Sequence, residues 1–188
     1  RVRSSAASDV YKRQFTRSHK GEDILKNCWN INVDSIADKD HFQVVHGDTW
    51  QFTRFDETLC GMLYDAIKEA GIEKPGDIAN PVGGCDSTPF TKAGVRSVTF
   101  AAQNPILTHY YHTFYDVPER FEKETVGLGL DIVLRVIDKI AAHENAQRGQ
   151  TSDAAAPAAE EQPAADAPAV CESAPENALF AEAEITEE

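Results

Sequence analysis

The chain has 188 residues and a formal charge of −13, long enough for one substantial hydrophobic core and too acidic to favour a phosphate backbone, so nucleic acid is not an expected partner. No run approaches the ~18–20 consecutive apolar residues of a membrane-spanning helix. The charge is uneven: residues 151–188 carry ten acidic and no basic residues and residues 1–14 carry +3, so residues 15–150 hold −6 of the total.

Taken in chain order, residues 1–14 show no apolar period. Their last six, Asp9 to Gln14, resemble an in-frame translation of a sequencing-library transposon end. They are therefore set aside from fold reasoning, and native sequence is expected to begin near Phe15. Residues 28–34 alternate, with Trp29, Ile31 and Val33 on one face, and predict a strand that ends at Asp34. Residues 41–46 predict a second strand, closed by Gly47 and Asp48. Phe55, Leu59, Met62, Leu63, Ile67 and Ala70 recur at helical spacing until Gly71 supplies a stop. A short helix follows the glycine-rich turn at 83–90. Residues 95–101 predict a third strand. Val126, Leu130, Val133, Ile137 and Ile140 mark one face of a final helix, expected to end near Ala142.

Residues 143–188 are rich in Ala, Pro, Glu and Asp and poor in large apolar side chains. Such a segment does not offset its ordering entropy, and it is read as a disordered, solubilising tail. Cysteines stand at 28, 60, 85 and 171, with no CxxC spacing, so a thiolate zinc site is not expected. An odd three in the body fits separate reduced thiols better than a disulfide framework, which favours the cytoplasm over secretion.

The pattern suits an open α/β sheet covered by helices. In such sheets ligands gather outside the carboxyl ends of strands. Asp34 and the loop that follows the 95–101 strand are then candidates for one rim. That loop contains Tyr110-Tyr111-His112-Thr113-Phe114-Tyr115-Asp116, which packs a metal ligand, several phenols and a carboxylate into seven residues.

Two further features complete a pattern: the apolar run Asn30-Ile31-Asn32-Val33-Asp34, and the turn Gly83-Gly84-Cys85-Asp86-Ser87-Thr88-Pro89-Phe90. Their order resembles the C-terminal half of a zinc-dependent exopeptidase catalytic domain, the family of bacterial leucyl aminopeptidase and glutamate carboxypeptidase, over residues 15–142. The resemblance implies a three-layer α/β/α open mixed sheet, incomplete at its N-terminus. It implies two zinc ions, a peptide substrate, and hydrolysis of N-terminal peptide bonds by a metal-bound hydroxide. Within it Asp34 matches a zinc ligand at a strand end. His112, 78 residues later, matches the last ligand, and each belongs to a different metal.

Tyr111 matches a phenol that donates to the developing oxyanion, a role open to a hydroxyl that stays protonated at neutral pH. Asp86, Thr113 and Asp116 match residues behind the ligands: Asp86 as a supporting or helix-capping carboxylate, Asp116 as an acceptor for the second imidazole N–H. Where the family carries a His before Thr-Pro-Phe, this chain has Ser87, and Cys85 replaces a Ser. The remaining ligands and the general base belong to a missing N-terminal half of the same domain, so the 188-residue chain is expected to be inactive alone. Glu22 and Asp23 lie too close to Asp34 to be that base. His41, His46 and His109 lack the context of His112.

Two readings keep the fold and change the function: a glutaminyl cyclase-like acyltransferase and a non-catalytic binding domain. A third makes the acidic tail the functional part.

Overall fold

The computed structural model describes residues 3–81, 84–104 and 113–153, all within one compact unit. Five strands form a mixed sheet: β1 (Trp29–Ile36), β2 (Phe42–Asp48), β3 (Thr53–Arg54), β4 (Gly76–Asn80) and β5 (Arg96–Ala102). The helices are α1 (Arg3–Ser18), α2 (Asp23–Lys26), α3 (Glu57–Glu69), α4 (Ser87–Lys92) and α5 (Lys123–Asp153), with a 3₁₀ turn at Pro118–Arg120.

β5 lies between β1 and β2, parallel to β1 and antiparallel to β2. Residues 43–45 of β2 pair with β5 and with β4, and Gly47 and Asp48 pair with β3 and β4. A strand has two edges, so β4 holds one edge of β2 while β5 and then β3 share the other. Gly47 is required there: a Cβ would stand 2.7 Å from the carbonyl oxygen of Thr53 on the partner strand. The predicted strand end at Gly47 and Asp48 is therefore corrected, because both residues belong to the ladder.

Side-chain alternation sends the two faces of the sheet to different helices. On one face Phe42, Val44, Val98, Phe100 and Ala102 form the main core with Leu59, Leu63 and Ile67 of α3 and Ile132 and Val136 of α5. Trp29 and Ile31 of β1 pack against the same core, as their alternation predicts, whereas Val33 is about half exposed. On the other face Val45, Ala101, Cys85 and Phe55 form a smaller cluster. There α4 packs on β5 and β1, and α1 packs on α4.

α3 starts where Asp56 accepts the Leu59 N–H at 2.8 Å, satisfying an orphan donor of the first turn. It ends at Gly71, whose φ of +94° suits a residue without Cβ. Trp29 ties the far part of α5 to the sheet. Its Nε1–H donates to Glu144 at 3.0 Å, its ring meets that of His143 edge-on, and the Arg96 guanidinium lies 4.4 Å from the ring centre.

Two expectations are corrected. α5 runs on to Asp153 rather than ending near Ala142, because His143 and Glu144 are held by Trp29 and Arg96. Its core face is not Val126, Leu130 and Ile137, which are about half exposed, but Ile132 and Val136 with Leu128, Val133 and Ile140 beside them. Residues 3–18 form one helix that crosses position 14 without a break, and Lys12 forms an ion pair with Asp86. Beyond it Phe15 meets Phe90 with ring centres 6.3 Å apart, and Thr16 is buried.

Candidate metal site at the sheet rim

β1 and β5 run parallel with Asp34 opposite Ala101 and Ile36 opposite Ala102. Their carboxyl ends therefore open on one rim. Asp34 lies just before a register shift, and the next residue, Ser35, has a φ of +53°. This bulge turns the strand end outward. The Asp34 carboxylate is exposed, and one of its oxygens accepts the Ser35 hydroxyl at 3.0 Å. An exposed carboxylate with lone pairs open to solvent fits a hard-cation or zinc ligand. Among the described residues no group of three or more His, Cys, Asp or Glu side chains converges on a common point.

Asp34 continues a polar column along one face of β1. Asn32 donates to Thr99 Oγ1 at 3.3 Å, and Asn30 Oδ1 accepts the Ser87 hydroxyl at 3.3 Å. Ser87 is fully buried and also contacts Val98 O and Thr99 Oγ1, each at 2.8 Å. The residue that replaces a His in the resembled pattern thus fills a hydrogen-bonded core position.

The loop leaving β5 carries the other candidates. Tyr111 and His112 lie outside the described residues, as does His109. After them Thr113 turns the chain: its Oγ1 accepts the Tyr115 N–H at 3.2 Å, and its carbonyl accepts the Asp116 N–H at 3.3 Å. Phe114, Tyr115 and Asp116 are exposed.

Asp86 occupies the position before α4 but caps nothing. Its backbone is helical and its carboxylate pairs with Lys12 instead, which corrects the capping alternative. Cys85 is buried, and its thiol is pushed up to about 11 by burial and by the nearby Asp48 carboxylate. Such a thiol is a poor nucleophile at neutral pH. Cys60 is raised further, to about 12, by burial and by Asp56, Asp77 and Glu57.

Asp48 is the feature that sequence reasoning missed. It is fully buried, yet its carboxylate accepts from Cys85 N–H, Thr88 Oγ1–H and Gln51 N–H. It fixes the turn that leads into α4. The signal available was a Gly-Asp pair that looks like a turn and is in fact the last rung of a strand.

A second polar pair, His46 with Asp77 at 2.6 Å, borders a groove of about 420 Å³ that Phe52 and Arg54 also line. His46 lies past the end of the β2–β5 pairing, on the side away from Asp34. The groove is therefore not part of this rim.

Comparison with solved structures places this architecture. A zinc aminopeptidase from Bacillus subtilis superposes with a TM-score of 0.56 at 21% identity, over 70% of this chain and 32% of that one. The fold of this chain is similar to that of the zinc aminopeptidase. A glutaminyl cyclase from an Acidobacteriales bacterium superposes equally, with a TM-score of 0.55 at 22% identity, over 69% of this chain and 44% of that one. The chain thus spans about a third of the aminopeptidase and less than half of the cyclase. No protein-family model and no curated protein sequence matches it. At these identities the likeness establishes the mixed open sheet with helices on both sides. Among the described residues no helix is long and apolar enough to cross a membrane.

Proposed function

We propose that this chain is the C-terminal part of a dizinc exopeptidase domain, most simply an aminopeptidase, in which Asp34 holds one zinc ion and His112 the other. The observation that supports this reading is the parallel register of β1 and β5. Asp34 lies two residues before the end of β1, opposite Ala101 of β5, and the chain that leaves β5 leads to His112, within a fold similar to that of a zinc aminopeptidase.

Bound zinc would supply Lewis acidity to a scissile carbonyl and lower the pKa of an attacking water. The residues of this chain then have separate tasks. The Asp34 carboxylate and the His112 imidazole orient and anchor. The Tyr111 hydroxyl, protonated at neutral pH, donates to charge that develops on the carbonyl oxygen. Asp116 accepts the second N–H of His112 and fixes its tautomer, and Thr113 shapes the turn between them. Asp48 holds the turn before α4, and Asp86 ties that turn to α1 through Lys12. One ligand per metal does not define a zinc site, so the 188-residue chain binds zinc weakly and lacks a general base. The polypeptide that supplies the other ligands and the base belongs to the same domain.

The test uses the longer polypeptide that carries those ligands. His112→Ala removes one equivalent of zinc and nearly all hydrolysis of aminoacyl anilides, and Tyr111→Phe lowers kcat more than it raises KM. Retention of full activity by His112→Ala contradicts the assignment. The equal similarity to a glutaminyl cyclase supports a second reading, cyclisation of N-terminal glutamine. Cyclisation of a glutaminyl peptide without hydrolysis of the anilide would select it.

A further inference from the structure

Among the described residues the sheet ends at β1 on one side and at β4 on the other. The groove beside His46 is built from β2, β3 and β4, at the end of the sheet away from the β1 edge. Two local irregularities meet there. In the parallel pairing of β2 with β4, Val45 lies opposite Ile78 and Gly47 opposite Ala79, so His46 is one extra residue, a bulge. Bulges re-aim side chains, and this one brings His46 Nδ1 to 2.6 Å from Asp77 Oδ1.

The second irregularity is Phe52, whose φ is +52°. A bulky side chain rarely adopts this left-handed backbone, and holding it there costs free energy. The ring is 96% exposed, so burial does not offset that cost. Asn or Gly would form the same turn with less strain. A strained aromatic held out in solvent at the lip of a groove points to a ligand contact rather than a folding contact.

The groove measures about 420 Å³, within the range of small-molecule sites. Gly47 and Ala79 keep it open, and His46 and Phe52 contribute rings to its lining. Arg54 adds a charge. It is exposed and forms no ion pair among the described residues, in a chain whose net charge is −13. Asp48 also lines the groove, but its oxygens accept from Cys85, Thr88 and Gln51, and the Asp77 carboxylate is engaged by His46. These two acids disfavour a dianion, so the one uncommitted cation suits a single negative charge.

We infer that this groove is a binding site for a small aromatic monocarboxylate. The Arg54 guanidinium takes the carboxylate through paired N–H donors. The aromatic body of the ligand lies in the groove against the Phe52 ring. His46, held by Asp77, bounds the same space. The site needs neither zinc nor Asp34, so it is independent of the metal reading.

Isothermal titration calorimetry of the full 188-residue chain with 3-phenylpropionate tests the proposal. Saturable binding with a dissociation constant below about 1 mM is expected. Three control ligands should each bind at least about tenfold more weakly: 3-phenylpropanamide, which has the ring without the charge, acetate, which has the charge without the ring, and inorganic phosphate. Arg54→Gln should weaken 3-phenylpropionate by a similar factor. Phe52→Asn should weaken it too while raising the melting temperature, because Asn tolerates a positive φ. A ring that served folding would give the opposite thermal shift. The proposal is overturned by the lack of saturable 3-phenylpropionate binding or by equal affinities for the acid and its amide. Unchanged affinity in Arg54→Gln, or a lowered melting temperature in Phe52→Asn, overturns it as well.

Discussion

Asp48 and Thr88 are 40 residues apart in the chain, and their side chains meet in the interior at 3.1 Å, carboxylate to hydroxyl. The same carboxylate oxygen accepts the Cys85 N–H at 3.1 Å, and its other oxygen accepts the Gln51 N–H at 3.0 Å. One buried acid therefore joins the β2–β3 hairpin to the turn before α4.

Asp48→Ala leaves these three donors without their acceptor. Hydrogen bonds to charged groups contribute about 1.5–3 kcal/mol, and buried unsatisfied donors add their desolvation cost. Urea denaturation should show a loss of about 2–4 kcal/mol. A change under about 0.5 kcal/mol, the range of ordinary surface substitutions, would refute the role given to Asp48.

The length of α5 has a direct consequence. Truncation after Ala142 removes Glu144 from Trp29 and Arg96, and His143 from the Trp29 ring. The loss should be about 1–2 kcal/mol, lowering the melting temperature by roughly 2–8 °C. Truncation after Asp153 should leave the melting temperature unchanged, as the composition of the tail implies. Equal midpoints for both truncations would show that the extension of α5 past Ala142 adds nothing to stability.

The legible parts of this fold were those with strong local periodicity. Residues 28–34 alternate and residues 55–70 repeat at helical spacing, and both elements appear there, although β1 runs on to Ile36 past the expected end at Asp34 and α3 spans Glu57–Glu69. β4 was not legible, since Gly-Asp-Ile-Ala-Asn holds a single β-former. It exists because the free edge of β2 accepts it. The orientation of α5 was misread for a related reason. Its apolar residues are spread over more than one face, so periodicity allowed two choices, and packing against Phe42, Val98 and Phe100 decided for Ile132 and Val136. The rim was legible through Asp34 alone. Tyr111 and His112 lie outside the described residues, and Asp48 was read as a turn because strand pairing, a long-range property, overrides the local signal of Gly47.

The half-buried Cys60 thiol and the buried Cys85 thiol give the stability a pH dependence. Folding raises Cys60 from near 9 to about 12 and Cys85 from near 9 to about 11. The folded state then holds these protons more tightly than the unfolded state, so their contribution is fully present below pH 9 and is lost as pH rises through the folded values. Stability should fall between pH 9 and 11 in the wild type, and less steeply in Cys60→Ala. The same shifts predict slow alkylation of both residues at pH 8 by iodoacetamide, with mass spectrometry as the readout. Rapid labelling of Cys85 in the folded chain would contradict its burial.

The proposed function depends most on Asp34 and the His112 loop sharing one rim. Ligands of two zinc ions ~3.5–4 Å apart, with bonds near ~2.0–2.1 Å, must lie roughly 4–8 Å from one another. The most direct measurement is cross-linking of Asp34→Cys/His112→Cys in the folded chain with a bifunctional thiol reagent whose reach does not exceed that span, with the joined peptides identified by mass spectrometry. The account predicts a 34–112 cross-link in high yield that disappears in urea. Failure of the two positions to join, while each single variant reacts readily, would place them on different sides of the sheet and contradict the dizinc reading.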